Sequence, residues 1–244
     1  MVFRIGLLLI ISFYIVTTYG LENPALPFPG SVKKHSFSGN FDLTNNYIFR
    51  GISNSNNNPA VQGGFTYTYL PMGLYANIWA TNVDFFVGDE RATVEFDEII
   101  GLANHVGDVH FDISLYRYNY PRASAGNYNE LVTVLTYSIL SATFGYSNNV
   151  FGSHETGIYY NGILNIPVKP KYFFGLSDVI FAVVIGRYEL PKNTGLLSYT
   201  EYQLGVQKNI NHYELSLQWI DTNHQAHLAP LDTGHLAFTA LVNF

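Results

Sequence analysis

Two groups of polar residues have the residue types and the close spacing that a metal site or a catalytic site would require. His224 and His227 lie close to Asp221 and Asp232, and imidazole and carboxylate groups are common ligands of metal ions. A metal site here would be open and flexible and would have no thiolate ligand, because the chain contains no cysteine. We therefore interpret this stretch as a solvated loop, and we predict neither a metal ion nor another cofactor.

The second group is Ser216, His212 and Glu214, whose residue types are those of barrel-borne lipid hydrolases. Residues at even spacing on a strand share one face, so this spacing alone does not indicate a catalytic triad, which is recognised by its geometry. The prediction is that the protein is not an enzyme. An outer-membrane lipid hydrolase is kept as a second alternative.

Charged residues that alternate with apolar ones are the more informative group. Arg50 stands among aromatic residues in the run FRGIS, and two interpretations of it stay open. Its side chain either lines a pore or holds a loop, or it reaches lipid head groups from the membrane interface. Elsewhere the polar faces carry mostly acids. The candidate pore-lining residues are Asp42, Arg50, Glu95, Asp97, Asp112, Glu130, Glu201 and Glu214.

Strands are the elements that must position these side chains. In residues 234–244, Leu236, Phe238 and Phe244 belong to one alternating set, so one face of this segment is apolar throughout. About twelve segments alternate in this way, each of roughly the length that a tilted strand needs to cross a bilayer. The predicted fold class is all-β, an antiparallel transmembrane β-barrel of about twelve strands.

Composition and connection lengths favour this barrel over a soluble β-sandwich, whose strands also alternate. Charged residues make up 12% of the chain, about half the share of a typical soluble domain, and there are 19 Tyr and 18 Phe. The predicted connections are alternately short and long, as in outer-membrane barrels, and an even strand count puts both termini on the periplasmic side. Residues 53–59, 83–91 and 222–233 are predicted external loops, and residues 70–73 and 209–211 are predicted periplasmic turns.

Three stretches fit the alternation less well. Residues 45–52 are interpreted as a possible extension of the first strand. Glu98 falls on an apolar face, which predicts a β-bulge or a register error there. Residues 176–188 are apolar on both faces over much of their length, so the sequence assigns them no register.

The start of the chain is typical of a secretory signal. Arg4 precedes an apolar run, and Thr18 and Gly20 are small residues at the positions that a signal peptidase reads. The run is short for an uncleaved anchor, which needs about 20 apolar residues. We predict cleavage of residues 1–20, a Pro-rich lead-in over residues 21–35, and one outer-membrane barrel domain over residues 21–244.

The predicted partners follow from charge and location. A net charge of −6 without a basic patch argues against nucleic acid. Outer-membrane lipid, lipopolysaccharide, and small solutes or ions are the predicted partners. The barrel assembly machinery would read the last strand, which ends at Phe244.

Several stretches resemble the TorF-type putative porins, a proteobacterial outer-membrane family. The specific part is residues 47–65, within SGNFDLTNNYIFRGIS and NPAVQGGFTYTY, and weaker matches follow at GLYANIWATNVDF, EFDEIIGL, YNYP, YNEL and WIDT. The His-containing last loop and residues 169–171 depart from the pattern. The resemblance covers nearly the whole mature chain, and it implies an outer-membrane barrel with a suspected pore and no catalytic residues.

The sequence thus predicts an outer-membrane porin-like protein that passes small solutes or ions through a narrow polar lumen. Twelve strands lie between an eight-stranded barrel, which its own side chains fill, and a wide porin. A non-conducting barrel whose external loops bind a ligand or a partner is the first alternative.

Overall fold

Twelve antiparallel strands form a closed barrel in this computed structural model. The structure describes residues 33–194, 196–223, 226, 228 and 230–244, and the backbone of residues 8–11 and 14–17. In chain order the barrel strands are β1 His35–Thr44, β2 Ala60–Tyr69, β3 Leu74–Val87, β4 Glu90–Val106, β5 Val109–Asn119, β6 Tyr128–Tyr137, β7 Leu140–Ser147, β8 Gly157–Val168, β9 Val179–Glu189, β10 Tyr199–Ile210, β11 Tyr213–Thr222 and β12 His235–Asn243. The predicted fold class is confirmed.

Each barrel strand pairs with the next, and β12 closes the barrel by pairing with β1 from Thr239↔Thr44 to Asn243↔Asn40. Two short ladders lie apart from the barrel sheet and join Leu8–Ile11 to Tyr14–Thr17 and Ile48–Phe49 to Ile52–Ser53. The predicted cleavage site and most of the predicted lead-in lie outside the described residues. None of the helices that the structure describes is long and apolar enough to cross a bilayer.

The outer face of the barrel is apolar, as the alternation predicts. In β12, Leu236 and Phe238 are 61% and 49% exposed, whereas Ala237 between them and Leu241 further along the strand are buried. The same alternation of exposed apolar and buried residues runs along β6, β7 and β11. A continuous exposed apolar face around a closed barrel is what a transmembrane barrel presents to lipid.

Antiparallel pairing puts alternate connections at opposite ends of the barrel. Residues 45–59, 88–89, 120–127, 148–156, 190–198 and 223–234 connect strands at one end, here called the loop end. Residues 70–73, 107–108, 138–139, 169–178 and 211–212 connect them at the turn end. The connections predicted as external loops all fall at the loop end, and those predicted as periplasmic turns all fall at the turn end. The alternation of lengths fails at residues 88–89, which are short, and at residues 169–178, which are long.

The predicted external loop at residues 83–91 is wrong. β3 and β4 continue as a long hairpin to the two-residue turn at Gly88 and Asp89, where a positive φ of 59° at Gly88 suits the first position of a tight hairpin turn. The ladder shifts register between Asn82 and Phe85. This bulge interrupts the period-two pattern, which is why the segment does not show the alternation of a strand.

Two further details of register are decided by the structure. Glu98 lies on the exposed face of β4 without a bulge, directly opposite Arg117 of β5, so the expected irregularity at Glu98 is wrong. In β9, Ala182 and Val184 face inward and pack with Ile163 of β8. The wall is apolar on both faces here, which explains why the sequence shows no alternation in this strand.

Candidate functional site

Residues 45–59, here called the plug, do not extend β1 as expected but fold into the barrel. Asn45 turns the chain away from the strand by donating its side-chain amide to the carbonyl of Leu236 and accepting a hydrogen bond from the amide of Phe238. The aromatic and aliphatic side chains that follow are buried. The buried residues of the plug are Asn46, Tyr47, Ile48, Phe49, Arg50, Gly51, Ile52, Ser53 and Ser55.

The tip of the plug is a two-residue hairpin turn. Ile48–Phe49 pairs with Ile52–Ser53, and Arg50 and Gly51 between them have positive φ of 49° and 84°. Positive φ at both central residues is the pattern of a type I′ turn, and glycine adopts it without steric cost. The hairpin therefore presents Arg50 at its deepest point.

Arg50 forms a buried two-point ion pair with Glu130 of β6. Its Nη1 and Nη2 atoms donate to the two carboxylate oxygens at 2.8 Å and 2.7 Å, and the side chains of Arg50 and Glu130 are 2% and 0% exposed. Tyr118 of β5 donates a third hydrogen bond to Glu130 at 3.2 Å. This arrangement decides between the two interpretations of Arg50, because a side chain enclosed in the lumen cannot reach lipid head groups.

Aromatic rings surround the Arg50 guanidinium. Its Cζ atom lies 4.0 Å from the ring centre of Tyr159, 4.7 Å from that of Phe49 and 4.8 Å from that of Tyr188. Cation–π attraction of this kind is strongest where the cation has lost its water. Ion pair and rings together hold the plug tip against the barrel wall.

Two more predicted acids contact the plug or its surroundings. Glu95 of β4 accepts a hydrogen bond from Tyr47 of the plug at 3.3 Å. Glu201 of β10 accepts hydrogen bonds from Tyr159 and, at 2.8 Å, from Gln203. Four ion pairs occur among the residues that the structure describes, and only Arg50–Glu130 has both side chains buried.

Three of the other four predicted acids accept hydrogen bonds from residues of the barrel wall. Asp42 accepts hydrogen bonds from Asn40, Asp112 from Tyr75 and Glu214 from Gln207. The side chain of Asp97 is buried on the same face of β4 as that of Glu95. All eight predicted residues therefore lie on the inner face of the barrel or in the plug. Arg187 belongs to residues 176–188, to which the sequence assigns no register. It lies on the opposite face of β9 from Tyr188 and pairs with Glu189 at 2.9 Å.

The plug packs into a large apolar cluster within the barrel. Plug residues Tyr47, Phe49 and Ile52 belong to this cluster, and the wall and loops supply the rest. The other buried members are Ala60, Trp79, Val83, Ala92, Tyr118, Tyr120, Ala123, Tyr128, Val150, Tyr159, Tyr188, Leu190, Tyr199 and Ala226. This part of the lumen is filled in the conformation that the structure shows.

The tyrosines and glycines that shape the site were not predicted from the sequence. Tyr118, Tyr159 and Tyr188 line it, while Gly145 and Gly186 leave room for Glu130 and Glu201. Tyrosine on the polar face of an alternating strand was the available signal, because Tyr159 shares a face with Asn161. His224 and His227 lie outside the described residues, and no metal-binding group occurs among the residues that are described.

Several solved structures are similar to this chain at very low sequence identity. A structure from work on the in-meso crystallization of membrane proteins matches with a TM-score of 0.55 and 6% identity over 85% of this chain and 83% of that one. A KdgM porin in complex with disordered oligogalacturonate matches with a TM-score of 0.49 and 6% identity over 85% and 97% of the two chains. OprD of Pseudomonas aeruginosa matches with a TM-score of 0.38 and 12% identity over 87% and 66%.

Curated protein sequences contain no match to this chain. The TorF name, expected from the resemblance, stays a prediction. A family model of bacterial proteins of unknown function matches residues 30–242, which is nearly the whole sequence. The chain belongs to this family, Gcw_chp.

Proposed function

We propose that this protein is an outer-membrane porin-like channel for small solutes or ions, and that the plug controls its opening. The observation that carries the proposal is the buried Arg50–Glu130 ion pair, which holds the plug hairpin inside the barrel. Bacterial outer-membrane barrels formed by one chain have an even number of strands and an apolar outer face, and the twelve strands of this barrel agree with both. The predicted signal at residues 1–20 supports export through the secretory pathway.

The inner wall suits a polar solute once the plug is withdrawn. Beyond the acids, its buried side chains include Gln62, Gln203, Gln207 and Gln218. A polar inner wall and an apolar outer wall are the arrangement of a barrel that encloses a water-filled path. With the plug in place, the aromatic cluster around Tyr47 and Phe49 closes that path.

A buried ion pair is well suited to a two-state element. Its formation removes two charges from water, so the pair contributes little net stability, yet removing one partner costs about 3–5 kcal/mol because the other charge stays buried and unpaired. Glu130→Gln leaves Arg50 in that state when the plug is docked. The variant should therefore favour the undocked plug by a factor of a hundred or more, since about 1.4 kcal/mol corresponds to tenfold.

Single-channel recording on refolded protein tests this proposal. Wild-type protein should show rare discrete openings, and Glu130→Gln should show openings of the same size that are far more frequent. Glu98→Gln is the matched control, because Glu98 lies on the outer face and its loss should leave the openings unchanged.

A non-conducting barrel is the second candidate, and the packed aromatic cluster favours it. In that case the plug is a permanent part of the core, and Glu130→Gln should only lower stability. Absence of discrete openings in wild type and in the folded Glu130→Gln variant would reject the channel and support this candidate.

A further inference from the structure

The guanidinium group of Arg50 is enclosed by the barrel wall in the way that a bound ligand would be. The Glu130 carboxylate accepts two hydrogen bonds from the edge of the guanidinium. The guanidinium carbon, Cζ, lies over the ring of Tyr159, 4.0 Å from the ring centre. Two parallel hydrogen bonds to a carboxylate and stacking on an aromatic face are the interactions that distinguish a planar guanidinium from a compact ammonium.

The wall alone supplies most of this enclosure. Glu130, Tyr118, Tyr159 and Tyr188 belong to β6, β5, β8 and β9, and only Phe49 comes from the plug. Barrel strands keep their positions through the hydrogen bonds of the closed sheet. These four side chains therefore remain on the wall when the plug is withdrawn.

Two glycines of the wall maintain the space that this site requires. A Cβ atom on Gly145 would lie 2.8 Å from Glu130 Oε1 and 3.2 Å from Arg50 Nη2. A Cβ atom on Gly186 would lie 2.6 Å from Glu201 Oε1 and 2.9 Å from the Tyr159 hydroxyl. Any larger residue at either position would crowd the carboxylates.

Glu201 adds a second acid beside the Tyr159 ring. Within the described part of the chain, no Lys or Arg lies within salt-bridge distance of Glu201. Its hydrogen bonds come from Tyr159 and Gln203, both of them neutral donors. The cationic side chain of Arg50 thus lies near two buried acids, Glu130 and Glu201. An excess of acid over base favours a cationic ligand at this point of the lumen.

We propose that the wall around Glu130 is a binding site for solutes that carry a guanidinium group, and that Arg50 occupies this site in their absence. Binding of such a solute and docking of the plug tip exclude each other. The binding site depends only on Glu130 and its aromatic neighbours, whereas opening of the channel by the solute rests on the proposed function. In wild type the solute competes with a tethered side chain, so it must be present at high concentration.

Chemical rescue of Arg50→Ala tests the site without any conductance measurement. Methylguanidinium at low millimolar concentration should raise the Tm of detergent-refolded Arg50→Ala, and the rise should saturate as a binding curve does. Methylammonium and tetramethylammonium at the same ionic strength should give no such rise. The double variant Arg50→Ala/Glu130→Gln is the matched control, and methylguanidinium should leave its Tm unchanged.

If Arg50→Ala does not refold, Arg50→Gln serves in the same assay, because glutamine keeps a polar side chain at the plug tip but has no charge to pair with Glu130. Equal stabilisation by the three cations, or stabilisation of the double variant by methylguanidinium, would overturn the proposed site. Failure of rescue together with frequent openings of Glu130→Gln would reject the site and leave the channel standing. Rescue without openings in any variant would support the site and reject the channel.

Discussion

Gly51 at the plug tip lies directly against Glu201 of the barrel wall. A Cβ atom on Gly51 would be 2.9 Å from Glu201 Cβ and 2.8 Å from Thr222 Cγ2, and the φ of Gly51 is 84°. The plug therefore fits the wall at this point only because the residue has no side chain.

Gly51→Ala should displace the plug. The substitution costs about 1–2 kcal/mol for the left-handed backbone and adds a clash with two wall atoms that are close to the main chain. Single-channel recording should show more frequent openings than in wild type. Gly88→Ala is the control, because Gly88 also has positive φ, 59°, but nothing lies within 4 Å of the added Cβ atom. Equal effects of the two substitutions would show that contact between the plug and the wall is not the cause of the openings.

Charge on the outer face of β12 should block membrane insertion. Leu236→Arg/Phe238→Arg places two charges on residues that are exposed on the apolar face, each costing about 2–4 kcal/mol if it lies at the bilayer midplane. Heat-modifiable mobility and fractionation with membranes should both be lost. The control is Leu236→Ile/Phe238→Leu, which keeps the face apolar. Normal insertion of the arginine variant would show that this face does not lie in lipid.

Phe244 should be required for closure of the barrel. Its backbone amide donates to the carbonyl of Gly39 at 2.9 Å and its carbonyl accepts from the Gly39 amide at 2.8 Å, which continues the β12–β1 ladder. Deleting Phe244 removes both hydrogen bonds as well as the predicted signal for assembly. We expect a lower yield of folded, heat-modifiable protein, whereas Phe244→Tyr should assemble normally. Full assembly without Phe244 would contradict this role.

The loop end of the barrel should face the outside of the cell. Single cysteines at Asn57 and Asp89 report on the loop end, and single cysteines at Met72 and Asn211 report on the turn end. The chain has no cysteine of its own, so each label reports one position. A membrane-impermeant maleimide should label the first pair on intact cells and the second pair only after lysis. The reverse pattern would invert the orientation.

An open channel should prefer cations modestly. Among the described residues Arg50 is the only buried Lys or Arg, and it is paired with Glu130. The remaining acids of the lumen attract cations, and the low-dielectric wall strengthens their field. The reversal potential of Glu130→Gln in a salt gradient should indicate cation selectivity that weakens at high salt. Glu214→Gln in the same background should reduce it. Anion selectivity would show that Arg50 controls the constriction.

The period-two pattern of the sequence determined the barrel. Because successive side chains on a strand point to opposite faces, local sequence is enough to separate the lipid-facing Leu236 and Phe238 from the inward Glu95, Asp97 and Glu201. The same pattern gave the strand number, since each crossing needs a similar length. It failed where the period was interrupted, at the bulge before Phe85, and where both faces were apolar, in β9.

Only the tertiary structure decided what the inward residues contact. Arg50 and Glu130 are 80 positions apart, and they meet because closure of the barrel brings β6 opposite the inserted hairpin. The sequence favours residues 45–52 as an extension of the first strand, because the run FRGIS does not show that the chain turns at Arg50 and Gly51 and folds into the lumen. That inward turn depends on the space left by Gly145 and Gly186 and on the aromatic rings of four separate elements, Phe49, Tyr118, Tyr159 and Tyr188. Such long-range packing follows from the closed barrel and not from any one segment of the chain.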